Sequence, residues 1–175
     1  MKRILFIACL LLVCVTVSYF ILNPKKEKPL PIINPKDLNE EMVDPELLRI
    51  GQGHQIGDFR FQNQNKKTIT QKEINGKVFV AEYFFTTCKG ICPKMNKNMQ
   101  VVYEKFKNNP DFLILSHTVN PENDSVPILK RYADSLGASP NNWWFLYGSK
   151  TDLYKSARES YLLDDPKNSS KNIDD

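Results

Sequence analysis

The fold is decided by the stretch Phe84-Phe85-Thr86-Thr87-Cys88-Lys89-Gly90-Ile91-Cys92-Pro93-Lys94-Met95. It joins an apolar run that is typical of a strand to a run that is typical of a helix. Two cysteines stand in it with three residues between them, and a proline follows the second. Thiols at such a spacing can form a disulfide, bind a soft metal ion, or do both in turn. The function of the chain therefore depends on which of these the pair performs.

The sequence around this stretch predicts an α/β fold. Val78–Phe85 is almost continuously apolar, which favours a strand buried on both faces, and Pro93–Phe106 has helical apolar spacing. Phe112–Val119 predicts a second buried strand and Trp143–Tyr147 a third. Strands that alternate with helices predict βαβ units and a mainly parallel sheet. The dithiol then lies at the carboxyl end of a strand, where open α/β sheets place their sites.

Shorter elements are predicted on both sides of this core. Ile56–Phe61 alternates apolar and polar residues, which predicts a half-buried strand, and Thr68–Thr70 predicts a short return strand after a turn. Ser125 is a predicted N-cap of a helix that ends at Gly137. A last helix is predicted from Thr151 to about Tyr161.

The N-terminus, residues 1–22, predicts a membrane anchor. Ile4–Leu22 contains no charged residue, and a helix of this length spans roughly 28 Å, close to the hydrocarbon thickness of a bilayer. An uncleaved anchor is favoured over a cleaved signal peptide, because the possible cleavage site lacks convincing small residues. It is also favoured over a lipoprotein attached through Cys9 or Cys14. A short tail before a single span predicts that the rest of the chain lies in a periplasm-like space, where disulfides persist.

Two segments are predicted after the anchor. Residues 23–47 contain five prolines among charged residues, which predicts an extended, stiff tether. Residues 48–175 are the predicted domain, and a hydrophobic fraction of 41% suffices for its core. The net charge of +4 is spread along the chain without a basic stripe. Nucleic-acid binding is therefore not predicted.

The residues around the dithiol favour thiolate chemistry. If Pro93 begins the helix, Cys92 lies at its N-terminus, where the helix dipole lowers a thiol pKa, and Lys89 adds a positive charge. Thiolates suit copper(I), whereas a structural zinc site needs four protein ligands. Dithiols of the thioredoxin type have two intervening residues, and here there are three. A simple stabilising disulfide, or a chance occurrence of two cysteines at this spacing, is the remaining alternative.

Other residues that could bind a metal are predicted to be structural. His54 precedes the first strand, so a surface or packing role is favoured. His117 lies near the end of the strand predicted beside the dithiol strand, and a packed histidine with satisfied hydrogen bonds is favoured over a third ligand. Met95 and Met99 are predicted to pack in the core rather than to bind copper.

A family resemblance follows from these residues. Tyr83–Met95 resembles the signature of the Sco/SenC family of membrane-anchored copper proteins, which has a Phe-Thr pair, then Cys, three residues and Cys-Pro. Further blocks resemble the family at Leu115–Asp124, Leu129–Ala133, Leu136–Ala138 and Trp143–Gly148. The resemblance implies a thioredoxin-like, three-layer α/β/α fold from about Ile50 to Tyr161. It also implies that Cys88 and Cys92 bind copper and that the protein delivers copper to, or reduces thiols of, the copper centre of cytochrome c oxidase.

The sequence also departs from the family pattern. Asn120 stands where family members usually carry Asp, and His117 where an apolar residue is frequent. The third copper ligand of the family is a histidine in a β-hairpin well downstream of the cysteines, and neither His54 nor His117 matches it. The resemblance therefore implies that a histidine ligand, the hairpin and a final helix belong beyond Asp175, and that this domain is incomplete at its C-terminus.

Three functions remain open from sequence. The first is a copper metallochaperone that exchanges ligands with an oxidase subunit or another copper or thiol protein. The second is a membrane-anchored thiol–disulfide oxidoreductase, and the third is a tethered redox or copper sensor without turnover. The spacing and the resemblance favour a metallochaperone over an enzyme. The first two functions can coexist, because an oxidised Cys88–Cys92 pair cannot bind copper.

Overall fold

The computed structural model describes residues 2–22, 30–38, 43, 46–50 and 53–163. The chain divides into two compact units, residues 1–32 and 33–175. In the first unit, α1 (Lys2–Leu22) is a single helix. Its segment Lys2–Tyr19 is long and apolar enough to cross a membrane, although a signal sequence would meet the same criteria. The predicted apolar N-terminal helix is present.

The second unit is built on a parallel sheet of three strands. These are β3 (Val78–Phe84), β4 (Phe112–Thr118) and β5 (Trp143–Leu146), in the order β3-β4-β5. The crossovers contain α3 (Ile91–Phe106) and α4 (Val126–Ser135). All three predicted strands, both helices and the parallel sheet are therefore confirmed.

The central strand of the sheet is more deeply buried than the strand beside it that carries the dithiol loop. All seven residues of β4, the central strand, are buried. β3 pairs with β4 along its length and is an edge of the sheet in the described part of the chain, and Val78 is 72% exposed. The prediction of burial on both faces is thus correct for β4 and wrong for β3, because a strand with one neighbour stays partly open to solvent.

A small hairpin precedes the sheet. β1 (Phe61–Gln62) pairs antiparallel with β2 (Thr68–Ile69), and the short helix α2 (Gln71–Ile74) follows. The predicted return strand is confirmed. The predicted strand Ile56–Phe61 is wrong in extent, since residues 53–60 have no regular structure.

Helices cover the sheet on both faces, so the layers are α/β/α. On the first face α3 and α4 pack over a buried cluster that includes Phe84, Cys92, Met99, Tyr103, Leu129, Trp143 and Phe145. On the second face the hairpin and α5 (Lys150–Lys155, followed by a π-helical turn Ser156–Ser160) pack over Phe61, Ile69, Leu113, Leu115, Trp144, Leu146 and Leu153. Met99 is buried and Met95 packs against the first cluster, as predicted.

The second unit begins at Ile33, inside the predicted tether. Pro35–Asp37 forms one 3-10 turn, and the Asn34 side-chain oxygen accepts a hydrogen bond from the Gly53 backbone at 2.9 Å. Asn34 and Val43 are buried. Part of the segment 23–47 therefore packs with the domain, because a buried asparagine and valine hold it there. Residues 23–29 and 164–175 lie outside the described residues.

Candidate dithiol site

The two predicted site cysteines lie at the carboxyl end of β3. β3 ends at Phe84, a short loop follows, and α3 begins at Ile91 with Gly90 as its N-cap. The helix begins two residues earlier than predicted, which places Cys92 inside its first turn. Pro93 is tolerated there, because the N–H group that proline lacks would have no partner within the helix. The strand and the helix thus bring Cys88 and Cys92 together.

The two thiols are free and differ in their surroundings. Cys88 is half-buried, whereas Cys92 is 4% exposed. A hydrogen bond from the Cys92 side chain lowers the pKa of Cys88, and backbone N–H groups of Cys92, Gly90 and Ile91 lower that pKa further. Cys88 is therefore the accessible sulfur and the one more readily ionised.

Cys92 behaves differently from the prediction. Burial raises the pKa of the Cys92 thiol, and the neighbouring Cys88 side chain raises it further. The predicted lowering at the helix N-terminus is wrong for this residue, because loss of hydration outweighs the helix dipole. The N–H groups of the first helical turn act on Cys88 instead.

A buried carboxylate holds the loop before Cys88. Thr86 donates its backbone N–H to Asp124 Oδ2 at 3.1 Å, and its hydroxyl donates to Asp124 Oδ1. Thr118, the last residue of β4, donates its hydroxyl to Asp124 Oδ2 at 2.6 Å. Asp124 is fully buried. The carboxylate therefore ties the dithiol loop to the end of the neighbouring strand.

Sequence reasoning missed this role of Asp124. The residue belongs to the block after β4 that carries the family resemblance, but on its own it reads as a loop residue. Its signal is positional: the carboxyl ends of parallel β3 and β4 meet at one edge of the sheet, so a polar residue after one strand can reach the loop after the other.

A second buried carboxyl lies on β3, on the face that α3 and α4 cover. Glu82 is 6% exposed, and burial raises its pKa. The Ser116 hydroxyl donates to Glu82 Oε1, and Trp143 Nε1 donates to Ser116 Oγ at 2.9 Å. Glu82 Oε2 has no hydrogen-bond partner among the residues described. Glu82 therefore has one hydrogen-bond partner and lies on an edge strand of the described sheet.

Tyr132 of α4 connects this carboxyl with the dithiol. Its ring stacks on Phe84 at 5.4 Å between centroids, and Asn96 of α3 donates to its hydroxyl at 2.6 Å. Burial raises the pKa of Tyr132, and charge on Cys92, Glu82 and Cys88 raises it further. Tyr132 is therefore within electrostatic reach of all three titratable groups.

The histidines do not join the dithiol. His117 is buried on the second face of the sheet, where its ring stacks on Tyr83 at 4.8 Å, and burial lowers its pKa to about 4. Its Nδ1 lies 3.4 Å from the Glu82 carbonyl oxygen, whereas its Nε2 has no partner among the described residues. The predicted packing role is confirmed, but the prediction that its hydrogen bonds are satisfied is wrong for Nε2. His54 Nε2 lies 3.0 Å from the carbonyl oxygen of Ser160.

The donor set of the site is two thiols. Within the described ranges, no group of three or more His, Cys, Asp or Glu side chains could hold a metal ion. Two thiolates are soft donors, and copper(I) is the soft metal that they suit. The same pair, with one accessible and one buried sulfur, suits thiol–disulfide exchange.

Comparisons with known proteins agree on one family. The family model described as SCO1/SenC matches residues 49–174. A curated relative, the SCO1 protein homolog of Bacillus subtilis, is 36% identical over 110 residues, which is 62% of this chain and 57% of the relative. The chain thus spans just over half the length of that relative.

Solved structures have the same fold. BsSco, described as a member of the Sco family of cytochrome c oxidase assembly proteins with a disulfide switch, matches with TM-score 0.56 and 36% identity over 62% of this chain and 64% of that chain. A SCO1/SenC family lipoprotein from Bacillus anthracis matches with TM-score 0.57 and 31% identity over 62% and 66%. Arabidopsis thaliana ScoI with copper bound matches with TM-score 0.52 and 27% identity over 60% and 65%. These matches confirm the predicted thioredoxin-like fold.

Proposed function

Because the chain belongs to the SCO1/SenC family, we propose that it carries copper on Cys88 and Cys92 and delivers it to the copper centre of cytochrome c oxidase. One observation carries the proposal: two free thiols in hydrogen-bond contact at the end of β3, one accessible and one buried. Copper is found in a solved relative from Arabidopsis thaliana, and another relative is described as an oxidase assembly protein.

The proposed loading step begins at Cys88. Its lowered pKa makes the thiolate available to an incoming copper(I) ion, while the Cys92 thiol releases its proton only when the metal replaces it. Delivery proceeds by ligand exchange, in which a partner ligand approaches the accessible side of Cys88. Burial of Cys92 keeps the second sulfur from water until the partner has bound. The histidine ligand predicted beyond Asp175 stays a prediction.

We further propose that the protein works at a membrane surface outside the cytoplasm. α1 supports attachment, and a solved relative is described as a lipoprotein. Residues 1–22 are the proposed anchor. The proposed tether is shortened to residues 23–32, since the contacts of Asn34 tie the following segment to the second unit.

Copper(I) titration of the reduced full chain in detergent micelles tests the first proposal. We expect one tightly bound ion per chain in competition with a copper(I) chelator. Cys88→Ser and Cys92→Ser each lower the affinity by more than roughly 100-fold, because one of two thiolate ligands is lost. The matched control replaces Cys9 and Cys14 of the anchor and keeps the affinity. Unchanged binding by either site variant contradicts the proposal.

A second candidate function rests on the asymmetry of the thiols. Cys88 has the accessible sulfur with the lowered pKa and Cys92 the buried sulfur with the raised pKa, which suits attack by the first and resolution by the second. The Cys88 thiolate would attack a partner disulfide and release one partner thiolate. The Cys92 thiolate would then attack the mixed disulfide, so that the chain is oxidised and the partner leaves with both its sulfurs reduced.

Trapping distinguishes this activity from copper carriage. With a disulfide peptide as substrate, Cys92→Ser accumulates a mixed disulfide through Cys88, whereas Cys88→Ser forms none. Mass spectrometry measures the adducts. Catalytic turnover of the peptide by the wild type in the presence of a reductant supports an oxidoreductase, and a single stoichiometric exchange without turnover argues against it.

A further inference from the structure

We propose that the face around Cys88 docks an acidic segment of the protein partner. This inference rests on the proposed function, since a partner has to approach Cys88 to receive copper or electrons. The docking face consists of Lys89, Ile91, Lys94, Lys97 and Val101. Its chemistry selects a partner that carries Asp or Glu side chains beside its own reactive ligand.

The charge of this region is one-sided. From Tyr83 to Tyr103 the chain contains three lysines and no Asp or Glu. Lys89 lies in the loop between the cysteines, while Lys94 and Lys97 follow in the first turns of α3. The site thus has basic residues on both sides of Cys92.

The three lysines are exposed and available. Their side chains have no ion-pair partner in the part of the chain that the structure describes. At the C-terminal end of the same helix, by contrast, Lys107 pairs with Glu104 at 2.6 Å. Because no intramolecular ion pair offsets these charges, they produce a positive electrostatic potential in the solvent that can attract a diffusing acidic partner.

Apolar side chains complete the face. Ile91 is 75% exposed and Val101 is 68% exposed, although both belong to a helix whose other side packs in the core. On a helix, Ile91, Lys94 and Val101 share one side, since their spacings of three and seven residues return to it. Apolar contact within a basic rim resembles the composition of a protein interface more than that of a purely solvated surface.

Three acidic residues of the neighbouring strands and loops form no ion pair with these lysines among the described residues. Glu82 is buried on β3, and Asp124 is buried and occupied by Thr86 and Thr118. Glu122, in the loop after β4, is exposed and lies 3.9 Å from Lys150. The exposed charged side chains of the docking face are therefore all lysines, and an acidic segment is their electrostatic complement.

The test uses the reduced full chain in neutral detergent micelles, with Cys9 and Cys14 replaced by serine. Three disulfide peptides of equal length react with it, flanked by acidic, neutral or basic residues. We expect the second-order rate with the acidic peptide to exceed that with the basic one by about tenfold or more at low salt, and the difference to shrink as salt screens the charges.

Charge reversal locates the effect. The variant Lys89→Glu, Lys94→Glu, Lys97→Glu should reverse the order of the peptides. The matched control Lys66→Glu, Lys67→Glu, Lys72→Glu makes the same charge change on exposed residues of the hairpin and α2 and should keep the order. The rate of Cys88 alkylation by neutral iodoacetamide is measured for each protein. Dividing each peptide rate by this alkylation rate corrects for changes in intrinsic thiol reactivity.

Equal rates for all three peptides would overturn the proposal, as would an equal response of the control variant. Anionic phosphatidylserine vesicles provide the competing explanation: if the site variant loses vesicle binding and keeps its peptide rates, the face contacts lipid and the proposal is wrong. Copper titration of the same variants separates the two proposals. If the wild type binds copper tightly but does not distinguish the peptides, only the docking proposal is wrong. If the wild type distinguishes the peptides but does not bind copper, only the proposal of copper carriage is wrong.

Discussion

Asp124 ties the loop that leads to the dithiol to the end of the neighbouring strand. Its carboxylate accepts hydrogen bonds from the backbone and hydroxyl of Thr86 and from the hydroxyl of Thr118. Thr86 lies in the loop two residues before Cys88, whereas Thr118 is the last residue of β4. The two threonines therefore offer two hydroxyl deletions around one buried acceptor, although the Thr118 hydroxyl also accepts a hydrogen bond from the Asn120 backbone N–H at 3.0 Å.

We predict that Thr86→Val and Thr118→Val each lower the free energy of unfolding by at least about 1–2 kcal/mol, since each removes one hydroxyl donor to a buried carboxylate. Thr118→Val should cost more, because it also removes the acceptor of the Asn120 backbone N–H. Only Thr86→Val should also change the pH dependence of Cys88 alkylation, because it loosens the loop that presents this thiol to its hydrogen-bond donors. Urea unfolding and iodoacetamide kinetics measure the two effects. An equal shift of the alkylation profile in both variants would mean that Asp124 acts on stability alone.

His117 makes the folded protein sensitive to acid. Burial lowers its pKa to about 4, whereas a histidine in the unfolded chain titrates near 6.5. Below pH 6.5 the unfolded chain binds a proton that the folded chain does not. We therefore predict that the free energy of unfolding does not depend on His117 protonation above about pH 6.5. As the pH falls from about 6.5 toward 4, the free energy of unfolding should decrease by up to about 3 kcal/mol.

The measurement compares unfolding free energies at several pH values in the wild type and in His117→Phe, which keeps an aromatic ring beside Tyr83. The difference between the two proteins should change with pH over this window. His54→Phe is the control, because that histidine is only half-buried. A wild-type profile parallel to that of His117→Phe would contradict the prediction.

At the scale of elements, the pattern of apolar residues was sufficient to predict the strands of the parallel sheet. The runs Val78–Phe85 and Phe112–Val119 predicted β3 and β4 because buried strands need continuous apolar residues. It missed that β3 is an edge strand among the described strands, and that Cys92 is too buried to gain from the helix dipole. Burial depends on what packs across the sheet, and the local sequence around these residues does not contain that information.

Gln64 is another residue whose role appears only in three dimensions. The sequence predicts a turn around it, yet its side chain is 3% exposed and contacts β5. Its Nε2 donates to the carbonyl oxygen of Trp143 at 2.8 Å, and its Oε1 accepts from the Phe145 N–H at 3.0 Å. The hairpin thus satisfies backbone groups on the side of β5 that has no neighbouring strand in the described part of the chain.

We predict that Gln64→Ala lowers the free energy of unfolding by about 2–4 kcal/mol, since it leaves two buried backbone groups without partners. Gln62→Ala is the matched control, because the Gln62 side chain is exposed and its contacts with Tyr147 use backbone atoms. Chemical denaturation should show a change within about 0.5 kcal/mol for the control. Similar losses in both variants would show that the hairpin stabilises β5 through packing rather than through Gln64.

At the scale of the whole molecule, the chain consists of two compact units with different proposed functions. Residues 1–32 contain the apolar helix, and residues 33–175 contain the sheet and the dithiol. If attachment and copper chemistry are separate properties, a change that prevents membrane insertion should leave the copper affinity of the second unit unchanged. This separation connects the proposed location with the proposed function in one experiment.

We predict that Leu11→Arg with Leu12→Arg moves the chain from the membrane fraction to the soluble fraction, since each arginine at the centre of a span opposes insertion by about 2.5–3.5 kcal/mol. The matched control, Leu30→Arg with Ile32→Arg, adds the same charges beyond α1 and should stay in the membrane fraction. Fractionation locates each protein, and copper(I) titration of the recovered chains compares their affinities. Membrane recovery of the first variant would show that α1 is not the anchor. A large loss of copper affinity in that variant would instead show that the dithiol depends on attachment, because Cys88 and Cys92 remain unaltered in both proteins.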